Sequence, residues 1–103
     1  MTKKDIISLL AERTSLTTSQ AMHAVEAVID ILADAIVSGE PVTLRGFGCL
    51  RTVKRARKLA RNIRRGSTVM IPERMKAKFV TYDELQQRIN DAYHERTSIQ
   101  SKP

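Results

Sequence analysis

The stretch "RKLARNIRRGSTVMIP", residues 57–72, decides how this chain is read. It holds four arginines, Lys58 and no acid, and it lies between flanks that look like ordinary globular sequence. Working outward, residues 51–78 carry eleven basic side chains (Arg51, Lys54, Arg55, Arg57, Lys58, Arg61, Arg64, Arg65, Arg74, Lys76, Lys78) against Glu73 alone, a net +10. Residues 1–50 are −2 and residues 79–103 are −1, so the net +7 of the whole chain arises in this one central segment. Uncompensated like charges repel and disfavour a compact state, and a polyanionic partner relieves that repulsion. Such segregation is the electrostatic footprint expected of nucleic-acid binding.

The same stretch sets the local structure. Residues 54–74 hold too few apolar groups for a core of their own. Asn62 to Ser67 forms a turn-like cluster around Gly66, and "TVMI" after it has strand composition. A β-ribbon arm of about eight residues per side, roughly 25–30 Å long at ~3.4 Å per residue, is the simplest solution. An isolated two-stranded ribbon is marginal in water, so the tip is expected to order on its ligand.

The flanks supply the body. Thr2 with Asp5, Thr17 with Gln20 and Thr81 with Glu84 each have capping-box spacing, which predicts three helices. The first covers about Lys3 to Arg13. The second carries Ala21, Val25, Val28, Leu32 and Ala35 on one stripe and adds Ala24, Ile29, Ile31 and Ile36, more apolar surface than one neighbouring helix covers; Gly39 and Pro41 end it. That excess points to a subunit contact. "VTLRGFGCLRTV" reads as a hairpin turning at Gly46 and Gly48, and residues 76–80 as a third strand. The last helix aligns Leu85, Ile89 and Ala92, and from about Glu95 periodicity disappears.

Composition narrows the function class. The chain's 103 residues, 42% hydrophobic and 28% charged, fit one globular domain, and no apolar run approaches the roughly 18–20 residues that span a bilayer. No signal-peptide pattern opens the sequence, so an intracellular, cytoplasmic setting is expected. Cys49 has no second cysteine to pair with and reads as a small buried hydrophobe; His23 and His94 read as helix-surface residues. There is no carboxylate pair, metal cluster or activated nucleophile, so neither an enzyme nor a cofactor or metal is expected. RNA modules advertise stacking aromatics, but Phe47, Phe79, Tyr82 and Tyr93 all lie outside the arm. Lipid binding calls for a basic amphipathic helix, and this basic run is broken by Gly66 and Pro72.

Gly46-Phe47-Gly48, Arg55-Ala56, Arg61-Asn62, Gly66, Phe79 and Leu85, in register with three helices and a basic arm, give the chain its resemblance to the HU/IHF family of bacterial histone-like, DNA-bending proteins over about residues 1–92. The resemblance implies an α+β intertwined dimer, with two N-terminal helices per subunit at the base, a three-stranded antiparallel sheet, a long protruding β-ribbon arm at about 54–74 and a short C-terminal helix. It also implies two arms in the minor groove of double-stranded DNA, with an apolar wedge at each tip. On that reading residues 93–103 are a flexible tail. The residues assigned to DNA are Lys54, Arg55, Arg57, Lys58, Arg61, Asn62, Ile63, Arg64, Arg65, Arg74 and Lys76, with Lys3 carried over from the resemblance.

Two departures matter. Ala60-Arg61-Asn62-Ile63 stands where the family has Gly-Arg-Asn-Pro, and Tyr82-Asp83 stands where it has Gly-Lys, which removes a phosphate-facing lysine. The expected function is a largely sequence-tolerant architectural DNA bender, acting as a homodimer or a heterodimer. A site-specific, IHF-like bender is the alternative within the fold, and an RNA-binding basic protein is the alternative outside it.

Overall fold

The computed structural model describes residues 1–100, with side chains described through residue 97. Elements follow in the order α1 (Lys3–Arg13), α2 (Thr18–Val37), β1 (Val42–Leu44), β2 (Gly48–Arg55), β3 (Lys58–Asn62), β4 (Ser67–Ile71), β5 (Arg74–Thr81) and α3 (Asp83–Gln100). The chain divides into two compact units, Met1–Ser38 and the remainder from Gly39.

The first unit is a helical hairpin. Both expected capping boxes form: the Thr2 hydroxyl accepts from Asp5 N while the Asp5 carboxylate accepts from Thr2 N, and Thr17 and Gln20 do the same. Ile7, Ala21 and Val25 form its buried core, with Leu10, Ala11 and Leu16 packed against them. Much of the apolar surface of α2 stays uncovered in the single chain. Val28, Ile29 and Val37 are exposed and Ile31 is 65% exposed, as the width of its apolar face predicts. Gly39, at φ 83°, takes the left-handed conformation that stops the helix.

The second unit contains two antiparallel sheets, one of order β1-β2-β5 and one of β3-β4. The predicted third strand is longer than residues 76–80, because its pairing with β2 runs unbroken from Gly48↔Thr81 to Arg55↔Arg74. The Gly-Phe-Gly turn has a steric basis. Gly46 sits at φ 78°, and Phe47 N donates to Leu44 O at 2.9 Å. A Cβ at Gly48 would lie 2.5 Å from Val80 O and 2.6 Å from the Phe79 ring, which itself packs on Phe47 with centroids 5.2 Å apart. Cys49, expected to be buried, is half-buried.

Two expectations for the C-terminal part are corrected. Thr81 does not cap α3: it ends β5, and its hydroxyl donates to Gln86 Oε1 at 2.9 Å. The helix begins at Asp83, where Asp83 and Glu84 place acidic groups on its positive end. Nor is it short, for it continues to Gln100, through residues expected to be tail. Within its first half Gln87 Nε2 donates to Asp91 Oδ1 at 2.8 Å, and the helix then continues beyond Ala92, where the apolar stripe ends. Residues 101–103 of the expected tail lie outside the described residues.

Gly48→Ala is expected to destabilise the protein by about 1–3 kcal/mol, the range for overpacking, because the obstacles include a backbone oxygen that cannot rotate away. Chemical denaturation followed by circular dichroism measures this, and parental stability would show that the strand relaxes without cost.

Candidate nucleic-acid interface

In an antiparallel pair, directly opposed residues share a face, so the register sorts the sheet's side chains. One face carries Val42, Leu44, Leu50, Thr52, Phe79, Ala77 and Met75. The other carries Arg51 opposite Lys78, Val53 opposite Lys76, and Arg55 opposite Arg74. Five cations therefore line one face of two adjacent strands, and no acid accompanies them there. Arg51, Arg55, Lys76 and Lys78 are exposed. Arg74 is half-buried, and its Nη1 is enclosed without a hydrogen-bond partner, leaving donor capacity unspent at the arm's root.

Two of these cross-strand pairs, Arg51–Lys78 and Arg55–Arg74, set like charges directly opposite one another, an arrangement that destabilises a sheet. A structure that tolerates such pairs retains a repulsion that a bound polyanion removes. Arg51 and Lys78 join this face although they are not among the residues assigned to DNA from sequence. Their signal was the strict alternation Arg51, Val53, Arg55 against Lys76, Lys78, which becomes readable once the register is known.

Beyond the sheet the ladder stops at Ala56-Arg57 on one side and Pro72-Glu73 on the other. Proline removes a backbone donor, so the ladder cannot run straight through and the ribbon starts as a separate sheet. The ladder of that outer ribbon has five residues per strand, paired from Lys58↔Ile71 to Asn62↔Ser67. Lys58, Ala60 and Asn62 share one of its faces, with Leu59 and Arg61 on the other. From Ile63 to Met70 every side chain is exposed, and Ile63 at the tip is 91% exposed.

The tip is organised by one residue. Asn62 O accepts from Gly66 N at 2.8 Å, and Asn62 Oδ1 accepts from Arg64 N at 3.1 Å and from Arg65 N at 3.4 Å. Three successive amides thus converge on Asn62, the pattern of a helix N-cap over a single turn, and Gly66 at φ 64° closes it. Ile63 occupies the first position of that turn, flanked by Arg61 and by Arg64-Arg65.

Not every expected site residue joins this surface. Lys54 lies on the opposite sheet face, beside Met75, and pairs with Glu73 at 3.2 Å. Lys3 belongs to the helical unit, where its Nζ lies 3.8 Å from Glu26 Oε1. Arg57 lies in the break between sheet and ribbon. Among the described residues no group of His, Cys, Asp or Glu side chains is placed to hold a metal ion, and no helix is long and apolar enough to cross a membrane.

The sheet face, ribbon and tip define a small α+β protein that offers an extended cationic surface to a polyanion. Residues 1–90 match the model of the family described as bacterial DNA-binding protein, and the chain belongs to that family. It is similar to the DNA-binding protein HU of Caulobacter vibrioides, 37% identical over 89 residues that cover 86% of this chain and 97% of that one. It is likewise similar to integration host factor subunit beta of Herminiimonas arsenicoxydans, 34% identical over 91 residues, or 87% of this chain and 90% of that one. Among solved structures it matches an Anabaena HU–DNA cocrystal structure with a TM-score of 0.82 and 27% identity, covering 86% of this chain and 97% of that one.

The two sheet faces make opposite predictions. Arg51→Ala is expected to weaken duplex binding and to lower the slope of log K against log[salt] by about 0.9, one phosphate contact, while Lys54→Ala leaves the slope unchanged. Titration at several salt concentrations measures both, and equal effects would show that the faces are not distinguished.

Proposed function

We propose that this protein is a non-enzymatic, architectural double-stranded DNA-binding protein that acts as a dimer, bends DNA between two ribbon arms set in the minor groove, and serves in the cytoplasm on the bacterial nucleoid. The observation that carries the reading is the segregation of charge. Arg51, Arg55, Arg74, Lys76 and Lys78 share one sheet face, and Lys58, Arg61, Arg64 and Arg65 carry positive charge on through both faces and the tip of the ribbon.

A β-ribbon fits a DNA groove, and arginine presents a planar donor fork to phosphates or to the negative potential of a narrow minor groove. At the tip Ile63 adds a hydrocarbon in a cationic setting, the composition of a wedge that unstacks a base step. Isoleucine lacks the fixed ring of proline and loses rotamer freedom when it inserts. The bend is accordingly weaker or less sharply localised than with proline at this position.

Dimerisation is supported by apolar surface that one chain leaves uncovered. Ile6, Leu10, Ala24, Val25, Val28 and Ile29 line an open apolar groove in the helical hairpin, and Ile31 and Val37 extend the exposed surface along α2. A second copy, or a related chain, buries that area and places a second arm symmetrically. Contacts to phosphate and groove shape carry little sequence information, so the binding is largely sequence-tolerant. A relative named as an integration host factor subunit supports site selection through DNA deformability as the second reading.

On a ~35 base-pair duplex labelled at both ends, addition of the protein is expected to shorten the end-to-end distance, with Ile63→Ala giving a smaller change. Energy transfer measures this, and an unaltered bend in the variant discards the wedge. In parallel, duplex DNA is expected to outcompete structured RNA and anionic vesicles at equal salt; preference for either of those would reassign the partner.

A further inference from the structure

We propose that Asn62 is a positioning residue: by capping the tip turn it sets the direction in which Ile63 projects, so that the bend depends on a side chain that need not touch DNA. The inference rests on the wedge reading of Ile63 given above and assigns what orients that wedge.

The geometry at the tip is the basis. A four-residue loop on an exposed ribbon, Ile63 to Gly66, has no tertiary packing to define it, because Ile63, Arg64, Arg65 and Gly66 are all exposed. Its conformation is set by local hydrogen bonds instead. Asn62 supplies both acceptors for the amides of residues 64, 65 and 66, with its carbonyl taking Gly66 N and its side-chain oxygen taking Arg64 N and Arg65 N. Removing Oδ1 leaves two of the three amides to water, with no acceptor in the protein, and the loop is then free to sample other turns.

Charge makes that freedom consequential. Arg64 and Arg65 repel each other and Arg61 while being drawn to phosphates, so an uncapped loop follows its guanidinium groups, not its one apolar side chain. With the cap in place the backbone is fixed, and Ile63, the most exposed of the large apolar residues described, stays at the apex.

Position 63 supplies an internal test. It is the first residue of a capped turn, where a proline's missing N–H costs nothing and its fixed φ already suits the turn. The preceding Asn62 ends a strand, and that extended backbone is what a following proline requires. A proline at 63 therefore takes over the orienting task, and the cap becomes dispensable.

The experiment compares the parent with Asn62→Ala, Ile63→Ala, the double alanine variant, and Asn62→Ala/Ile63→Pro on the end-labelled duplex, reading bend by energy transfer and the salt slope of affinity in the same samples. Asn62→Ala is expected to lose as much bend as Ile63→Ala, with the double alanine variant no worse than either alone and the salt slope within about 0.3 of the parent. The Ile63→Pro combination is expected to restore the bend. If Ile63→Ala loses bend and Asn62→Ala does not, the positioning role is overturned and the wedge stands. If Asn62→Ala loses bend but proline at 63 fails to restore it, the positioning role is equally overturned, since the side chain then acts on DNA directly. If Ile63→Ala bends DNA as the parent does, the wedge reading falls and this inference with it.

Discussion

Like-charge repulsion across a β-sheet is the constraint on which the rest of this structure depends. Arg51 faces Lys78 and Arg55 faces Arg74 across one antiparallel pair, with Lys76 between them on the same face. Unlike pairs in such positions contribute about 0.2–1 kcal/mol each, and like pairs cost on a similar scale. A small protein has little surplus stability to spend on such pairs. Their retention makes sense where the charges meet a polyanion, which converts each repulsion into an attraction and releases condensed counterions. The acidic residues of the chain lie almost wholly outside this segment, so the face meets its charge balance in the ligand.

Rigid features hold that face in place. Phe79 packs at a tilt on Phe47 and lies over Gly48 so closely that no side chain fits there, which fixes the hairpin turn against β5, and Tyr82 N donates to Phe47 O at 3.1 Å to join the end of that strand to the turn. The eight-residue pairing of β2 with β5 then aligns the cations. Pro72 and Ala56-Arg57 interrupt the ladder, and the ribbon beyond carries the remaining arginines to a tip whose shape comes from Asn62. Packing, pairing and capping thus act in sequence from body to tip, each positioning the next.

The parts legible in the sequence were those with local causes. Both N-terminal capping boxes, the glycine stop after α2, the hairpin turn and the Asn62–Gly66 turn follow from residue types at fixed spacing, and each is present. The charge segregation needed only counting. What remained illegible required non-local information. The division of cations between faces depends on strand register, which composition does not carry: it sets Arg51 and Lys78 on the cationic face and Lys54 on the other. Thr81 resembles a cap, but β5 claims it, since its ladder with β2 runs to Gly48↔Thr81. The full length of α3 is not legible because its apolar stripe ends at Ala92, while the helix continues to Gln100.

The central claim is that a duplex lies along the cationic sheet face and the ribbon, and on no other surface. Titrating isotope-labelled protein with duplex DNA and following every backbone amide by NMR tests it directly. The account predicts that the largest shifts fall on Arg51, Arg55, Lys76 and Lys78 and on residues 57–66, with the exposed polar surface of α1 unaffected beyond small global changes. Shifts concentrated on the helical hairpin, with the ribbon unmoved, would contradict it.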